Sequence, residues 1–388
     1  MRIVVTGLIA AYPLGGLAWD YLQYVHGLRA LGHDVLYLED TGRWVYAPWQ
    51  EAFTDDCDRH VAYLASLFRG GAPWAFRDPH GRMHGMDAAA VRRACAEADL
   101  FLNVSGACWL RDEYRGRGTT AYVDTDPGYS QSVLLAAEDP SAADAVTYAA
   151  ALIRAHDVFF TFAENIGAPG CAVPTAGLRW IPTRHPITLD DWPCQDASED
   201  PGHDAAFTTV MSWRTDVPLP VLEGRTYGGK DVELRKLAGL PRRTPIQLEL
   251  ALAGDAPRGE LTDAGWRLVD ARTVSATPGS YRAYLAQSRG EIGIAKEVYV
   301  ATASGWFSTR SASYLALGRP VVVQDTGLEG HYPIGRGLLS FTDVETAAAA
   351  LDDVVGAYAV HARAARALAA ELFDARRVLG RLLDDVFA

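Results

Sequence analysis

The chain has 388 residues, 49% of them hydrophobic and 22% charged, and a formal net charge of -12. That length exceeds what one hydrophobic core usually fills, so two domains are expected. The acidic balance excludes a broad nucleic-acid surface, which needs clustered Lys and Arg, so any phosphate site must be local.

No apolar run is long enough for a membrane span. Five cysteines, Cys57, Cys95, Cys108, Cys171 and Cys194, form no C-x-x-C pair and no zinc-finger spacing with His. They read as free thiols of a cytoplasmic protein without a structural metal. The opening MRIVVTGLIAAYPLGG has only Arg2 as a leader-type charge, and it reads as a first buried strand rather than a signal peptide.

Residues 1 to 40 predict a strand from Arg2 to Gly7, a turn with Pro13, Gly15 and Gly16, a helix to Leu31 and a second strand from Asp34 to Glu39. Leu17, Tyr21, Tyr24, Leu28 and Leu31 share helical spacing and would pack one face on a sheet. Further strands are predicted at Leu100 to Val104, Ala121 to Asp124 and Val158 to Phe162, separated by helices at Ala88 to Ala98 and Ser141 to Ala155. The alternation stops between Pro182 and Ala205. It restarts with a strand from Phe207 to Trp213, a helix from Lys230 to Leu240 and strands at Ile246 to Leu252, Glu291 to Ile294 and Pro320 to Gln324. Helices at Tyr281 to Ser288 and Thr309 to Leu317 fall between the last of these strands. From Val344 to Ala388 the chain reads as helical throughout, interrupted at Gly356 and Gly380.

This order predicts an α/β protein of two doubly wound, Rossmann-like domains facing a cleft. Residues 1–190 form the first domain, 191–204 a linker and 205–365 the second. Residues 366–388 form a helix that packs back on the first.

The richest local pattern is GWFSTRSASYLALGRPVVVQDTG, Gly305 to Gly327. Ser308 is placed to cap a helix that ends at Gly318, and Pro320 opens a strand that stops at Gln324 and Asp325. A helix start offers unpaired N–H groups and partial positive charge. Ser308, Thr309, Arg310 and Ser311 would add hydroxyls and a cation where a doubly wound sheet takes a phosphate. The same pattern also describes an ordinary capped helix.

L-x-x-G-x-P-V-V followed by polar residues, here Leu315 to Asp325, resembles the donor half of GT-B glycosyltransferases. The opening Gly15-Gly16, a helix and Leu31-Gly32-His33 is similar to the start of many such enzymes. The resemblance implies diphosphate contacts at Ser308, Thr309, Arg310 and Ser311, and sugar contacts at Gln324, Asp325 and Thr326. Gly15 and Gly16 would let backbone approach a diphosphate or acceptor. YGGKDVELRKL looks like the K-G-x-x-x-L stretch of retaining members, which makes Lys230 a charge on the diphosphate with Arg214 as partner, or else a solvated lysine. Trp213 reads either as a base-stacking residue or as core. Glycine spacing at 7, 15 and 16 is not the dinucleotide fingerprint.

The chain departs from both family patterns, because Leu17 stands where inverting members carry a catalytic His, and the Glu-x7-Glu pair of retaining members is absent. Asp20 is then the first candidate for a general base, with His26 behind it. Asp124 and Asp126 follow a strand and read as acceptor-side residues or alternative bases, not metal ligands; Glu164 ends a neighbouring strand. His185 in PTRHPI reads as a turn residue or a cleft residue. The aromatic load of the first half, Trp44, Tyr46, Trp49, Phe53, Trp74, Phe76 and Trp109, points to an aromatic or apolar small-molecule acceptor.

The expected activity is metal-independent transfer of a sugar from a nucleotide diphosphate to a hydroxyl or amine by a monomer or homodimer, with the nucleotide sugar as co-substrate and no cofactor. The alternatives are a sugar-nucleotide epimerase of the same shape and a non-catalytic sugar-nucleotide-binding helper.

Overall fold

The computed structural model describes residues 1–194, 200–214 and 217–388, so the expected linker lies partly outside the described residues. The strands of the first half are β1 (Arg2–Thr6), β2 (Asp34–Glu39), a small hairpin of β3 (Val45–Ala47) and β4 (Ala52–Thr54), β5 (Trp74–Arg77), β6 (Met83–Gly85), β7 (Leu100–Val104), β8 (Thr119–Asp124), β9 (Val158–Thr161) and β10 (Trp180–Pro182). Apart from the hairpin they form one sheet in the order β10-β9-β8-β7-β1-β2-β5-β6. All pairs are parallel except β5 with β6 at the edge.

The second half contributes β11 (Phe207–Ser212), the hairpin β12 (Val221–Leu222) and β13 (Arg225–Thr226), β14 (Leu248–Ala253), β15 (Arg267–Asp270), β16 (Gly290–Gly293), β17 (Val321–Gln324) and β18 (Leu338–Phe341). Its sheet runs β15-β14-β11-β16-β17-β18 and is parallel throughout. Helices cover both faces of each sheet, which is why β1, β7, β14 and β17 are runs of buried, mostly apolar residues and show no alternation.

The short strands β5, β6, β10, β15 and β18 do not stand out in the sequence because each has only three or four residues, too few to display a period. The expected Lys230–Leu240 helix ends at Lys236. The C-terminal stretch is three helices, Val344–Gly356, Tyr358–Leu372 and Ala375–Phe387, and Gly380 lies inside the last. The second break falls at Phe373-Asp374, where Asp374 caps the new helix by accepting from Arg376 N–H. Ile187 also pairs there, donating to the Phe373 carbonyl and accepting from Ala375 N–H.

The last helix packs on the first helix, Gly15–Ala30, where a Cβ at Gly27 would overlap Leu379 and Ala375. The chain therefore returns from the second sheet to the first. Among the described residues, no helix is long and apolar enough to cross a membrane.

Candidate active site

Parallel strands place all their carboxyl ends on one edge, so loops far apart in sequence meet there. In the second half this edge holds a pocket lined by Gly293, Trp306, Ser308, Arg310, Ser311 and Gln324 among others. Ser308 caps the helix Thr309–Ala316 by accepting from Arg310 N–H. Arg310 is buried, and its Nε donates to Glu291 at 2.6 Å and its Nη1 to the Val210 carbonyl at 2.8 Å. Burial alone would lower its pKa, but the Glu291 carboxylate outweighs that and holds it above the ordinary value. The guanidinium is thus fixed in charge and orientation at the pocket wall.

Two lysines lie near Arg310. Lys230 starts the helix Lys230–Lys236, and burial, then the nearby charges of Arg310 and Lys296, push its pKa well below the usual lysine range. Lys296 lies just past the end of β16 and donates to Asp126 of the first half. Its pKa stays raised because Asp126 outweighs its burial. Arg310 and Lys296 each hold a carboxylate partner, Glu291 and Asp126, and it is Lys230, without one, whose charge the other two disfavour.

From the first half, Asp20 reaches this cluster one turn into its helix. Burial raises its carboxyl pKa to about 7, against a hydrogen bond from Thr309 and the charges of Arg310 and Lys230, which lower it; Asp126 adds to the rise. Asp126 itself is held below the ordinary value because Lys296 and Tyr299 both bind its carboxylate and outweigh its burial. The Asp20 carboxyl is therefore able to exchange a proton near neutral pH. Asp126 is a weak base and serves as the counter-charge of Lys296.

Other predicted residues have partners that change their reading. Gly15 and Gly16 hold no free N–H for a phosphate: Gly15 N–H donates to the Ser275 carbonyl and Gly16 N–H to the Ser275 hydroxyl. A Cβ at Gly15 would overlap Thr277 backbone and one at Gly16 the Tyr281 ring, so these glycines let the two halves touch. Asp124 is buried and accepts from Ser130, Gln131 and Thr161, which makes it a bracket for the following helix. Glu164 binds Arg184, His331 and Tyr332, joining the halves. Trp213 is fully buried in the second core and is not available to stack on a base. Arg214 points to solvent with 71% of its side chain exposed, near Asp231.

Gln324 lines the pocket, but its amide donates to Glu233 and its oxygen accepts from Ala295 N–H. Asp325 accepts from Gly327 and Leu328 N–H and shapes the turn, and Thr326 donates to the Trp306 carbonyl. His26 pairs with Asp191 at 2.8 Å, so it is a packing residue. Of the aromatic residues, Phe76 is core, whereas Trp44, Trp49 and Phe53 are exposed.

The sequence reading missed Lys296 and Glu291 and set His185 aside. Lys296 was legible as a cation two residues past a predicted strand. Glu291 was not, since a carboxylate inside an apolar strand shows its meaning only through Arg310. Among the described residues no group of three or more His, Cys, Asp or Glu is arranged to hold a metal ion.

No protein-family model and no curated protein matches the chain. Solved structures do. HepE of Anabaena in complex with UDP and glucose superposes with a TM-score of 0.56 at 14% identity, over 100% of each chain. An alpha-glucosyltransferase in complex with UDP and a 13-mer DNA gives 0.58 at 10% identity, over 100% of this chain and 98% of that one. Sucrose-phosphate synthase from Thermosynechococcus elongatus gives 0.55 at 13%, over 100% and 99%. The chain has the fold these proteins share, the GT-B fold of two facing Rossmann-like domains.

Proposed function

We propose that this protein is a glycosyltransferase that moves a sugar from a nucleotide diphosphate donor to a hydroxyl or amine of a small-molecule acceptor without a metal ion. The observation that carries the reading is the nearness of Arg310 and Lys230 of the second half to Asp20 of the first, a carboxyl with a pKa of about 7. UDP in the solved structures of HepE and the alpha-glucosyltransferase supports a nucleotide donor here too.

In this reading residues 205–365 hold the donor, with Lys230, Ser308, Thr309, Arg310 and Ser311 around the diphosphate, and residues 1–190 hold the acceptor. The acceptor oxygen or nitrogen bonds to the anomeric carbon as the bond from that carbon to the diphosphate oxygen breaks. The electron pair leaves on the diphosphate, where the cations stabilise it, and Asp20 takes the acceptor proton. Cations fixed before the reaction supply the stabilisation a metal gives elsewhere.

The test is to incubate the protein with UDP-, TDP- and GDP-sugars and a panel of small hydroxyl and amine acceptors, reading nucleotide diphosphate release and glycosylated product. Product that depends on acceptor supports the reading. An epimerised donor formed without acceptor would establish the isomerase instead.

A further inference from the structure

Three aromatic rings of the first half meet on one face of the small β3–β4 hairpin. Val45 and Ala47 are buried, so Tyr46 between them turns to the opposite face. Phe53 is its cross-strand partner and is 41% exposed. Such partners share a face, and the two rings lie 5.6 Å apart. Tyr12, from the loop after β1, stacks on Tyr46 at 5.9 Å and meets Phe53 edge-on at 6.1 Å.

The backbone beneath these rings is fixed from below. Glu39, fully buried at the end of β2, accepts from Ala10 N–H at 2.8 Å, from Ala11 N–H and from the Tyr37 hydroxyl at 2.8 Å. Ile9 N–H donates to the same hydroxyl at 3.1 Å, and the Ala11 carbonyl accepts from Tyr46 N–H at 2.8 Å. A buried carboxylate is costly unless its oxygens are satisfied. Here the groups that satisfy it tie the loop carrying Tyr12 to the hairpin. A face set in place before binding spares a ligand the cost of ordering it.

The hairpin also stands at the rim of the cleft. Glu51, in its turn, pairs with Arg272 on the helix Ala271–Val274 of the second half. That helix leads directly into Ser275, whose carbonyl accepts from Gly15 N–H at the junction of the halves. A molecule on the three rings therefore lies beside the place where the two sheets face each other.

The size of the face selects its occupant. A stable protein partner needs about 20–30 residues a side, whereas one more ring packs offset or edge-on against aromatic neighbours at about 4.5–7 Å. We propose that Tyr12, Tyr46 and Phe53 form the acceptor-recognition face and that the acceptor presents a flat aromatic ring to it.

The inference rests on the glycosyltransferase reading for the role of the bound ring, but its test begins with binding alone. Naphthol and its saturated analogue decahydronaphthol are titrated into the whole chain by calorimetry, without donor. Naphthol should occupy one saturable site and decahydronaphthol should bind several-fold more weakly. Phe53→Leu and Tyr46→Leu keep apolar bulk and remove a ring, so each should weaken naphthol roughly 2- to 10-fold and leave decahydronaphthol unchanged. Phe53→Tyr should bind naphthol as the wild type does. Because Phe53 is partly exposed, the Phe53→Leu and Phe53→Tyr pair decides the matter even if Tyr46→Leu does not fold. Three results would overturn the proposal: no saturable naphthol site, equal naphthol affinity in Phe53→Leu and the wild type, or a loss that follows Trp44→Leu, an exposed residue outside the three rings. Ring-dependent naphthol binding without any sugar transfer would sink the glycosyltransferase reading alone. Transfer with an acceptor KM that Phe53→Leu does not move would sink the aromatic face alone.

Discussion

Gly15 and Thr277 meet backbone to backbone across the junction of the two sheets, so closely that a methyl group on Gly15 would overlap the Thr277 carbonyl. The Gly15 N–H adds a hydrogen bond to the Ser275 carbonyl at 2.6 Å, and Trp19 Nε1–H donates to the Pro278 carbonyl at 3.0 Å. The first helix is thereby held against the loop that precedes the helix Pro278–Gln287.

Gly15→Ala should therefore force the halves apart. Overpacking at a tight contact costs roughly 1–3 kcal/mol. The expected result is a lower melting temperature and a larger radius of gyration by small-angle X-ray scattering. Gly239→Ala, at a glycine with open space around it and a φ of -81°, should leave the radius unchanged.

Binding of a nucleoside diphosphate should take up a proton. Burial and the neighbouring Arg310 and Lys296 keep the Lys230 pKa well below the usual range, and a diphosphate beside it restores the charged form. Calorimetry of UDP binding in buffers of different ionisation enthalpy should show uptake that disappears in Lys230→Met. That variant should bind about 10- to 100-fold more weakly, the range of one charge-assisted contact.

Asp20 has a sign to its pH dependence. Its folded pKa of about 7 stands above the ordinary value of 3.8, so between those values the folded state holds a proton that the unfolded state has lost. The carboxyl's contribution to stability is fully present below about pH 4 and fades as pH rises through 7. Asp20→Asn, which carries no charge, should melt a few degrees above the wild type at pH 8 and converge with it near pH 4. The same variant should lose transfer activity by roughly 100- to 10,000-fold, the usual contribution of a general base.

Removal of divalent ions should leave transfer intact if the cations do the work of a metal. Activity in EDTA equal to that in untreated protein is the expected outcome, and loss on chelation restored by Mg2+ or Mn2+ would contradict it. A base on the acceptor side also predicts inversion at the anomeric carbon, read from the proton NMR coupling of the product.

Much of the second half's site edge was legible because it is written locally. Ser308 to Ser311 lie on one helix start, and a cap, a terminating Gly318 and a strand-opening Pro320 are features of neighbouring residues. The same holds for the alternation of strands and helices, which is set by periods of apolar residues and predicts two Rossmann-like sheets. Asp20 was visible as an acid one turn into a helix that the pattern itself defines.

What the sequence by itself determined is this set of local elements and the chemistry available at their ends. Tertiary structure alone decided which of those ends face each other. Gly15 and Gly16 look the same in sequence whether they admit a phosphate or a neighbouring chain, and only Ser275 and Thr277 show that they admit the chain. Asp124 and Asp126, two residues apart, part company because one is saturated by Ser130, Gln131 and Thr161 while the other meets Lys296. His185 meets Thr309 of the second half only through the fold. A pKa depends on burial and on charges brought near by folding, so the raised proton affinity of Asp20 exists only in the folded chain.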